Sequence, residues 1–187
     1  MRVMIIPEDP ALDQYVLKPV IETVFKDLNR PARVQVLLNP RLRSVDQALN
    51  PTQLAGIINS YPQEDLFLLI VDRDCDQNRI NRIKACESEA ENIGKLLIGC
   101  LAIEEVEMWA LAMYQNLLPA RWQEMRKECH PKEIYFNPLV EQLGLKNDVG
   151  RGRKHMMKNL SGHISRLLQL CDEIAELRNQ IQQKLTA

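Results

Sequence analysis

Short apolar runs alternate with amphipathic stretches over the first 118 residues of the chain. Four runs have the composition of buried strands and are bounded by turn residues; they cover residues 2–6, 32–38, 66–71 and 96–103. The last two runs are too continuously apolar for strands with one face in water. They predict a sheet that is covered by helices on both faces.

The stretches between and after these runs carry apolar residues at helical spacing. Asn50 and Pro51 mark one helix start, because Asn caps helices well and Pro suits the first helical position. Pro19 predicts either a kink or a new helix start within the first helical stretch. The predicted helices cover residues 12–28, 51–60, 77–93, 104–117 and 160–185.

This order of elements determines the predicted fold class. Alternating strands and helices predict an α/β fold of the Rossmann-like type, with a mostly parallel sheet and right-handed crossovers. After Pro119 the sequence has no convincing strand pattern. We therefore predict an α/β core over residues 1–118 and a helical C-terminal part over residues 119–187, packed on that core.

Composition narrows the class of protein. The chain has 187 residues, of which 45% are hydrophobic and 26% are charged, as is typical of a globular protein. The net charge of -1 excludes a generally basic nucleic-acid wrapper but allows local patches. No apolar run is long enough to span a membrane.

The five cysteines are irregularly spaced and include no Cys-x-x-Cys pair, which argues against a thiolate zinc site. Their odd number, in a chain without a recognisable signal peptide, predicts reduced thiols that fill the core. We accordingly expect a cytoplasmic location.

Acidic residues follow three of the four predicted strands. The carboxyl ends of parallel strands meet at one edge of a sheet, so we expect these acids to converge. Two carboxylates about 4 Å apart repel by roughly 4 kcal/mol at an effective dielectric constant of 20, and a cluster must bind protons or a cation. Oxygen ligands without His or Cys favour Mg²⁺ or Mn²⁺. The acids are Glu8, Asp72, Asp74, Asp76, Glu105 and Glu107.

Helix capping is the alternative explanation for some of these acids. Asp9 precedes Pro10, as an N-cap residue would, and Asp76 precedes the helix predicted at 77–93. Glu104 and Glu105 fall in the first turn of a predicted helix, where the helix dipole favours acids. Capping is a good explanation for any one of these acids. It is a weaker explanation for acids at three strand ends of the same sheet.

The acids in this order resemble the Toprim fold of topoisomerases, primases and OLD-family nucleases. That fold has an acid, usually Glu, after the first strand and an Asp-x-Asp pair after the third. Glu8 and the pair Asp72 and Asp74 stand at these positions. The segment 102–111 (Ala-Ile-Glu-Glu-Val-Glu-Met-Trp-Ala-Leu) is similar to the acid-and-Trp helix start of RloB-like Toprim proteins in bacterial defence systems.

The resemblance covers roughly residues 1–118 and implies roles for the acids. Glu8 would be the acid–base or metal-binding carboxylate, Asp72 and Asp74 would hold a divalent ion, and Glu105 and Glu107 would be accessory ligands. The usual Gly beside the first acid is replaced, because Glu8 stands between Pro7 and Asp9. The loop therefore approaches a phosphate less freely than a glycine loop would.

A basic segment at residues 151–166 is free of acids. Arg and Lys side chains are good donors to phosphate oxygens, so four of its members are candidate nucleic-acid contacts. A solvated helix face is the alternative interpretation. The four candidates are Arg151, Arg153, Lys154 and Lys158.

Two classes of function fit this sequence. The first is a Mg²⁺- or Mn²⁺-dependent hydrolase of the nuclease type, which cuts phosphodiester bonds in DNA or RNA during phage defence or DNA repair. The second is a non-catalytic Toprim-like module that binds a partner protein such as an ATPase through the helix at 160–185. A homodimer is compatible with both, and neither class involves a membrane.

Overall fold

The computed structural model describes residues 1–186. Over these residues the chain forms one four-stranded sheet with the strand order β2-β1-β3-β4, and every neighbouring pair is parallel. The prediction of an α/β fold with a parallel sheet is confirmed. The strands are β1 (Arg2–Pro7), β2 (Arg33–Val36), β3 (Leu66–Asp72) and β4 (Leu97–Ala102).

Helices make up most of the remaining regular structure. The helix that follows Asn50 begins as predicted, because the Asn50 side chain accepts a hydrogen bond from the Gln53 N–H at 3.0 Å. Pro19 lies inside the first helix and does not start a new one. The helices are α1 (Gln14–Asp27), α2 (Val45–Ala48), α3 (Pro51–Ser60), α4 (Arg79–Asn92), α5 (Glu107–Leu111), α6 (Trp122–Met125), α7 (Asn137–Gln142), α8 (Arg153–Met156), α9 (Ile164–Leu170) and α10 (Asp172–Lys184), with 3₁₀ turns at Ala112–Leu117 and Leu160–Gly162 and a π turn at Lys132–Phe136.

Both faces of the sheet are buried under helices. Successive side chains of a strand point to opposite faces, so β1 contributes to two apolar layers. Val3 and Ile5 pack with α1 and the C-terminal helices, whereas Met4 and Ile6 pack with α3 and α4. Each such fully buried side chain stabilises the fold by about 1.5–3 kcal/mol.

β4 is an edge strand of the sheet that residues 1–186 form, although its sequence is almost wholly apolar. Its composition is explained by α4 and α10, which contact it. Side chains also bind backbone groups in and just after this strand: Glu87 accepts the Gly99 N–H at 2.8 Å, and Glu173 accepts the Ile103 N–H at 3.4 Å. These acids close the edge to further strand pairing.

Over residues 119–186 the chain forms short helices joined by turns, and it adds no strand to the sheet. These helices share one apolar core with β1, β3 and α1. The prediction of a single helix over 160–185 is wrong, because Cys171 breaks it with φ -121° and ψ 87°. Among residues 1–186, no helix is both long and apolar enough to cross a membrane.

Candidate metal centre

Three carboxylates meet at the carboxyl end of the sheet. Asp72 ends β3, Asp74 lies in the loop that follows, and Glu105 lies between β4 and α5. Each offers one oxygen atom, and these three atoms lie within 4.8 Å of one another. We refer to these residues as the acidic triad.

Backbone donors orient two members of the acidic triad. Asp72 Oδ1 accepts the Val106 N–H at 2.9 Å, and Glu105 Oε2 accepts the Lys132 N–H at 2.7 Å. A carboxylate has two oxygen atoms with several lone pairs, so each of these acids keeps acceptor capacity for a cation.

The neighbouring acid Glu104 fixes the loop that carries Asp74. Its carboxylate is 1% exposed and binds the Arg73 guanidinium and the Cys75 N–H, the latter at 2.7 Å. Burial alone would raise the pKa of Glu104, but the bonds from Arg73 and Cys75 outweigh it and hold the pKa below its usual value. Glu104 is thus a structural acid that holds the loop in position.

A disulfide bond between Cys75 and Cys129 fastens the same loop to the segment before Lys132. The prediction of reduced thiols is therefore wrong for this pair, whose Cα atoms are 5.6 Å apart despite 54 residues of separation. Spacing alone did not reveal the pair. Cys86, Cys100 and Cys171 are free and buried, as predicted for core cysteines.

Arg79 joins Glu8 to Asp74. Its Nη1 atom lies 2.9 Å from Asp74 Oδ2 and 3.7 Å from Glu8 Oε2, and it donates to the Asp72 carbonyl oxygen at 2.6 Å. Glu8 therefore lies beside the acidic triad without belonging to it. Burial raises the pKa of Glu8, although Arg79 opposes this effect.

Lys132 contributes a second cation to this centre. Its Nζ atom lies 3.6 Å from Glu105 Oε1. Burial would lower the pKa of Lys132, but Glu107 and Glu105 outweigh it and raise the pKa. The pKa of Glu105 is also raised, chiefly by burial.

Asp13, just before α1, is a further buried acid of the centre. It is 8% exposed, and its Oδ2 atom accepts the Asp9 N–H at 3.1 Å. Burial, followed by the nearby Glu107, raises the pKa of Asp13 to about 7. Burial also raises the pKa of Asp72 well above its usual value, with Glu107 and Asp13 adding to the effect.

Glu107 is buried next to the acidic triad and forms an ion pair with Arg153. The Arg153 guanidinium also lies over the Phe136 ring, 4.9 Å from its centroid. Arg153 was predicted as a phosphate contact, but at 2% exposure it cannot present donors at the surface. The preceding Gly152 has a φ of 83° and packs closely against Val140, since an added Cβ would lie 3.1 Å from that side chain.

The other predicted residues lie outside the acidic triad. Asp76 is exposed, and its Oδ1 atom accepts the Asn78 N–H at 2.9 Å in the turn before α4. Arg151, Lys154 and Lys158 are exposed. Asp9 forms a similar turn, because its Oδ1 atom accepts the Ala11 N–H at 2.9 Å.

The donor set of this centre fits a divalent ion such as Mg²⁺ or Mn²⁺. All ligands that the acidic triad offers are carboxylate oxygens, which these hard ions prefer. Over the described residues, the buried oxygens Glu8 Oε2 and Glu107 Oε2 have no hydrogen-bond partner. Each of these two carboxylates already has a guanidinium beside it, that of Arg79 or Arg153, so the fit to a divalent ion rests on the acidic triad alone.

Comparison of the chain with protein-family models, with curated proteins and with solved structures found no match.

Proposed function

We propose that this protein is a Mg²⁺- or Mn²⁺-dependent enzyme that hydrolyses phosphodiester bonds in nucleic acid. The observation that carries the proposal is the acidic triad of Asp72, Asp74 and Glu105, whose ligand atoms lie within 4.8 Å of one another. The resemblance of these residues and Glu8 to the Toprim pattern supports the same class of chemistry. Phage defence or DNA repair is the setting that the resemblance implies.

The acidic triad would hold the ion, and the bound ion would supply positive charge against a phosphoryl oxygen. Glu8 is the candidate general base. Its raised pKa makes it a better proton acceptor than an ordinary carboxylate, and Arg79 holds it beside Asp74. Lys132 is placed to donate to a phosphate oxygen.

The Arg79 contacts also favour a second candidate function. A guanidinium 2.9 Å from Asp74 neutralises part of the acid cluster without any metal. In this alternative the acids are structural, and the protein is a non-catalytic module that binds a partner protein such as an ATPase. Metal binding by the acidic triad distinguishes the two functions.

A cytoplasmic location is part of the proposal, and buried thiols at Cys86, Cys100 and Cys171 are compatible with it. The Cys75–Cys129 disulfide opposes it, because disulfides are rare in reducing compartments. Labelling of free thiols in freshly lysed cells tests this point. Three reactive cysteines after denaturation would support a disulfide in the cell, and five would support the cytoplasm.

A nuclease assay tests the proposed activity. Labelled single-stranded DNA, duplex DNA and RNA are incubated with the protein in Mg²⁺, in Mn²⁺ or in excess chelator. We expect cleavage with metal only, and we expect its loss in Asp72→Asn and in Glu105→Gln. Asp76→Asn is the matched control, since Asp76 lies in the same loop but outside the acidic triad.

Isothermal titration with Mg²⁺ and Mn²⁺ separates the two candidate functions. Metal binding that requires Asp72 and Asp74, together with cleavage, supports the enzyme. No binding at millimolar concentrations and no cleavage of any substrate would reject the enzyme and leave the partner-binding module.

A further inference from the structure

A groove with a volume of about 360 Å³ runs between α1 and the region of α8. Three lysines stand along it, and apolar atoms form much of its surface. We call it the lysine groove. The lining residues that carry the argument are Tyr15, Lys18, Pro19, Lys154, Met157 and Lys158.

The lysine groove carries a net positive charge. Its single acid, Glu22, pairs with Lys18 at a distance of 3.8 Å, and both side chains are about half exposed. Among the described residues, Lys154 and Lys158 have no acidic partner within ion-pair distance. Two exposed ammonium groups are therefore left for an anion from outside the chain.

Both walls of the lysine groove begin beside the candidate metal centre. Gln14, the first groove residue of α1, directly follows Asp13, which lies close enough to Asp72 to help raise its pKa. Lys154, on the other wall, directly follows Arg153, the ion-pair partner of Glu107. The Gln14 end of the groove is thus the end nearer the carboxyl edge of the sheet, where the acidic triad lies.

The length of the groove suits a chain of phosphates. Its α1 wall runs from Gln14 to Glu22, about two helical turns or roughly 11 Å. Phosphates of an extended single strand lie farther apart than the 3.4 Å axial rise per strand of a duplex, so this length accommodates at most about three phosphates. The apolar atoms of Tyr15, Pro19 and Met157 suit the bases and sugars between the phosphates.

We propose that the lysine groove binds a single strand of nucleic acid and leads it to the acidic triad. This proposal rests on the proposed function, because it assigns the substrate path of the same site. Lys18 joins Lys154 and Lys158 as a phosphate contact, and Arg153 supports the second wall from the interior. An acidic segment of another protein is the competing occupant.

The decisive test compares two variants with the same loss of charge. The groove variant combines Lys18→Ala, Lys154→Ala and Lys158→Ala. The control variant combines Lys84→Ala, Lys95→Ala and Lys184→Ala, whose lysines line a different groove between α4, β4 and α10 that also contains Glu87 and Glu91. Any effect of overall charge is therefore the same in both.

Binding of a fluorescent oligonucleotide of about 12 nucleotides is measured by anisotropy over a range of salt concentrations, with chelator present. Chelator removes both cleavage and the metal. For the groove variant we expect at least tenfold weaker binding at low salt. Its log–log salt slope should be flatter by about two, since each lost contact with single-stranded nucleic acid removes about 0.7. The control variant should keep the parent slope.

Equal losses in both variants would show general electrostatic attraction and reject the groove. Parent-like binding by the groove variant would also reject it. A glutamate-rich peptide is titrated in parallel. If it binds the parent more tightly than the oligonucleotide does, and the groove variant loses that binding, the groove is a protein-binding site and the proposal fails.

Failure of the proposed function gives a different result. Mg²⁺ titration of the groove variant should match the parent, because none of the three lysines belongs to the acidic triad. A parent that binds the oligonucleotide through the groove but binds no metal would leave the groove assignment intact and reject the enzyme. A parent that binds metal but whose oligonucleotide binding does not depend on the groove lysines would reject the groove assignment and leave the proposed metal-dependent enzyme intact.

Discussion

The Glu107 carboxylate and the Arg153 guanidinium form an ion pair in the protein interior, where each side chain is 2% exposed. Such a pair stabilises a fold little in net terms, but removing one partner leaves an unpaired buried charge. The pair joins the helix that follows Glu105 to the start of the basic segment. It therefore connects the candidate metal centre to the wall of the lysine groove.

Arg153→Ala should lower the free energy of unfolding by about 3–5 kcal/mol, because Glu107 would be left buried without its counter-ion. Lys154→Ala, at the adjacent exposed position, is the control and should change the free energy of unfolding by less than about 0.5 kcal/mol. Urea unfolding followed by circular dichroism measures both. Equal, small effects would mean that Arg153 is not held in the interior.

Asp13 should make the metal-free protein less stable as the pH rises. Its pKa is about 7 in the folded chain against an ordinary value of 3.8, so the folded state binds the proton more tightly. This contribution to the free energy of unfolding is fully present below pH 3.8 and is lost as the pH rises through about 7. The difference between the folded and ordinary pKa values of Asp13 corresponds to at most about 4 kcal/mol in the free energy of unfolding.

Melting curves in chelator between about pH 5 and pH 8 measure this effect. Asp13→Asn keeps an acceptor for the Asp9 N–H but cannot titrate, so its melting temperature should fall less across this range. Parallel curves for the parent and the variant would contradict the burial of Asp13. Added Mg²⁺ should stabilise the parent more at the upper end of the range, because metal ligands must be deprotonated.

Lys132→Met should tighten metal binding and weaken catalysis. The ammonium lies 3.6 Å from Glu105 and competes with a cation for the acidic triad, so its loss should raise Mg²⁺ affinity about tenfold, or about 1.4 kcal/mol. The backbone N–H of residue 132 still orients Glu105. Calorimetry and the nuclease assay measure the two effects.

Lys127→Met is the control for Lys132→Met, because it removes an exposed lysine from the same segment. It should change neither the Mg²⁺ affinity nor the nuclease activity. Weaker Mg²⁺ binding by Lys132→Met would show that the lysine organises the acidic triad and does not compete for it.

Reduction of the Cys75–Cys129 bond should destabilise the protein. The bond closes a loop of 54 residues, and chain-entropy arguments then predict a loss of up to about 4 kcal/mol. Mg²⁺ affinity should fall as well, because the bond fastens the Asp74 loop to the segment that orients Glu105 through the Lys132 N–H. Melting and titration with and without a dithiol reductant measure both changes.

The double variant Cys75→Ser and Cys129→Ser should behave like the reduced parent and should not respond to the reductant. A reductant effect on this variant would place the redox sensitivity elsewhere. Parent protein that keeps its full metal affinity when reduced would show that Glu104 alone is sufficient to hold the loop.

The strands and the convergence of Asp72, Asp74 and Glu105 could be predicted because both follow from local sequence, but the prediction also included Glu8, Asp76 and Glu107, which lie outside the acidic triad. Continuous apolar runs mark strands that are covered on both faces, and strand ends in a parallel sheet converge at one edge. Asp72 ends β3, and Asp74 and Glu105 follow the ends of β3 and β4 by two and three residues. Strand order therefore predicts that they meet at one edge, whereas the contacts of Glu104, Cys129 and Lys132 that hold them there could not be predicted.

Other parts of the centre depend on tertiary packing that has no local signature. Asp13 and Lys132 come from separate segments that approach the sheet only when the chain is folded. Arg153 looks like its exposed neighbours in the sequence, and only its burial against Glu107 in the folded chain separates it from them. The break at Cys171 was missed because the apolar spacing continues across it, from Leu167 to Ile174.

The bond between Cys75 and Cys129 makes part of this protein a covalent ring. A protease that cuts once within that ring, for example beside the 47% exposed Leu117, produces two pieces that remain a single molecule. Such a nicked chain migrates as full-length protein on a denaturing gel until a thiol is added. Before reduction, Glu105 and the Lys132 N–H that orients it lie on different pieces, and the disulfide keeps those pieces in one molecule.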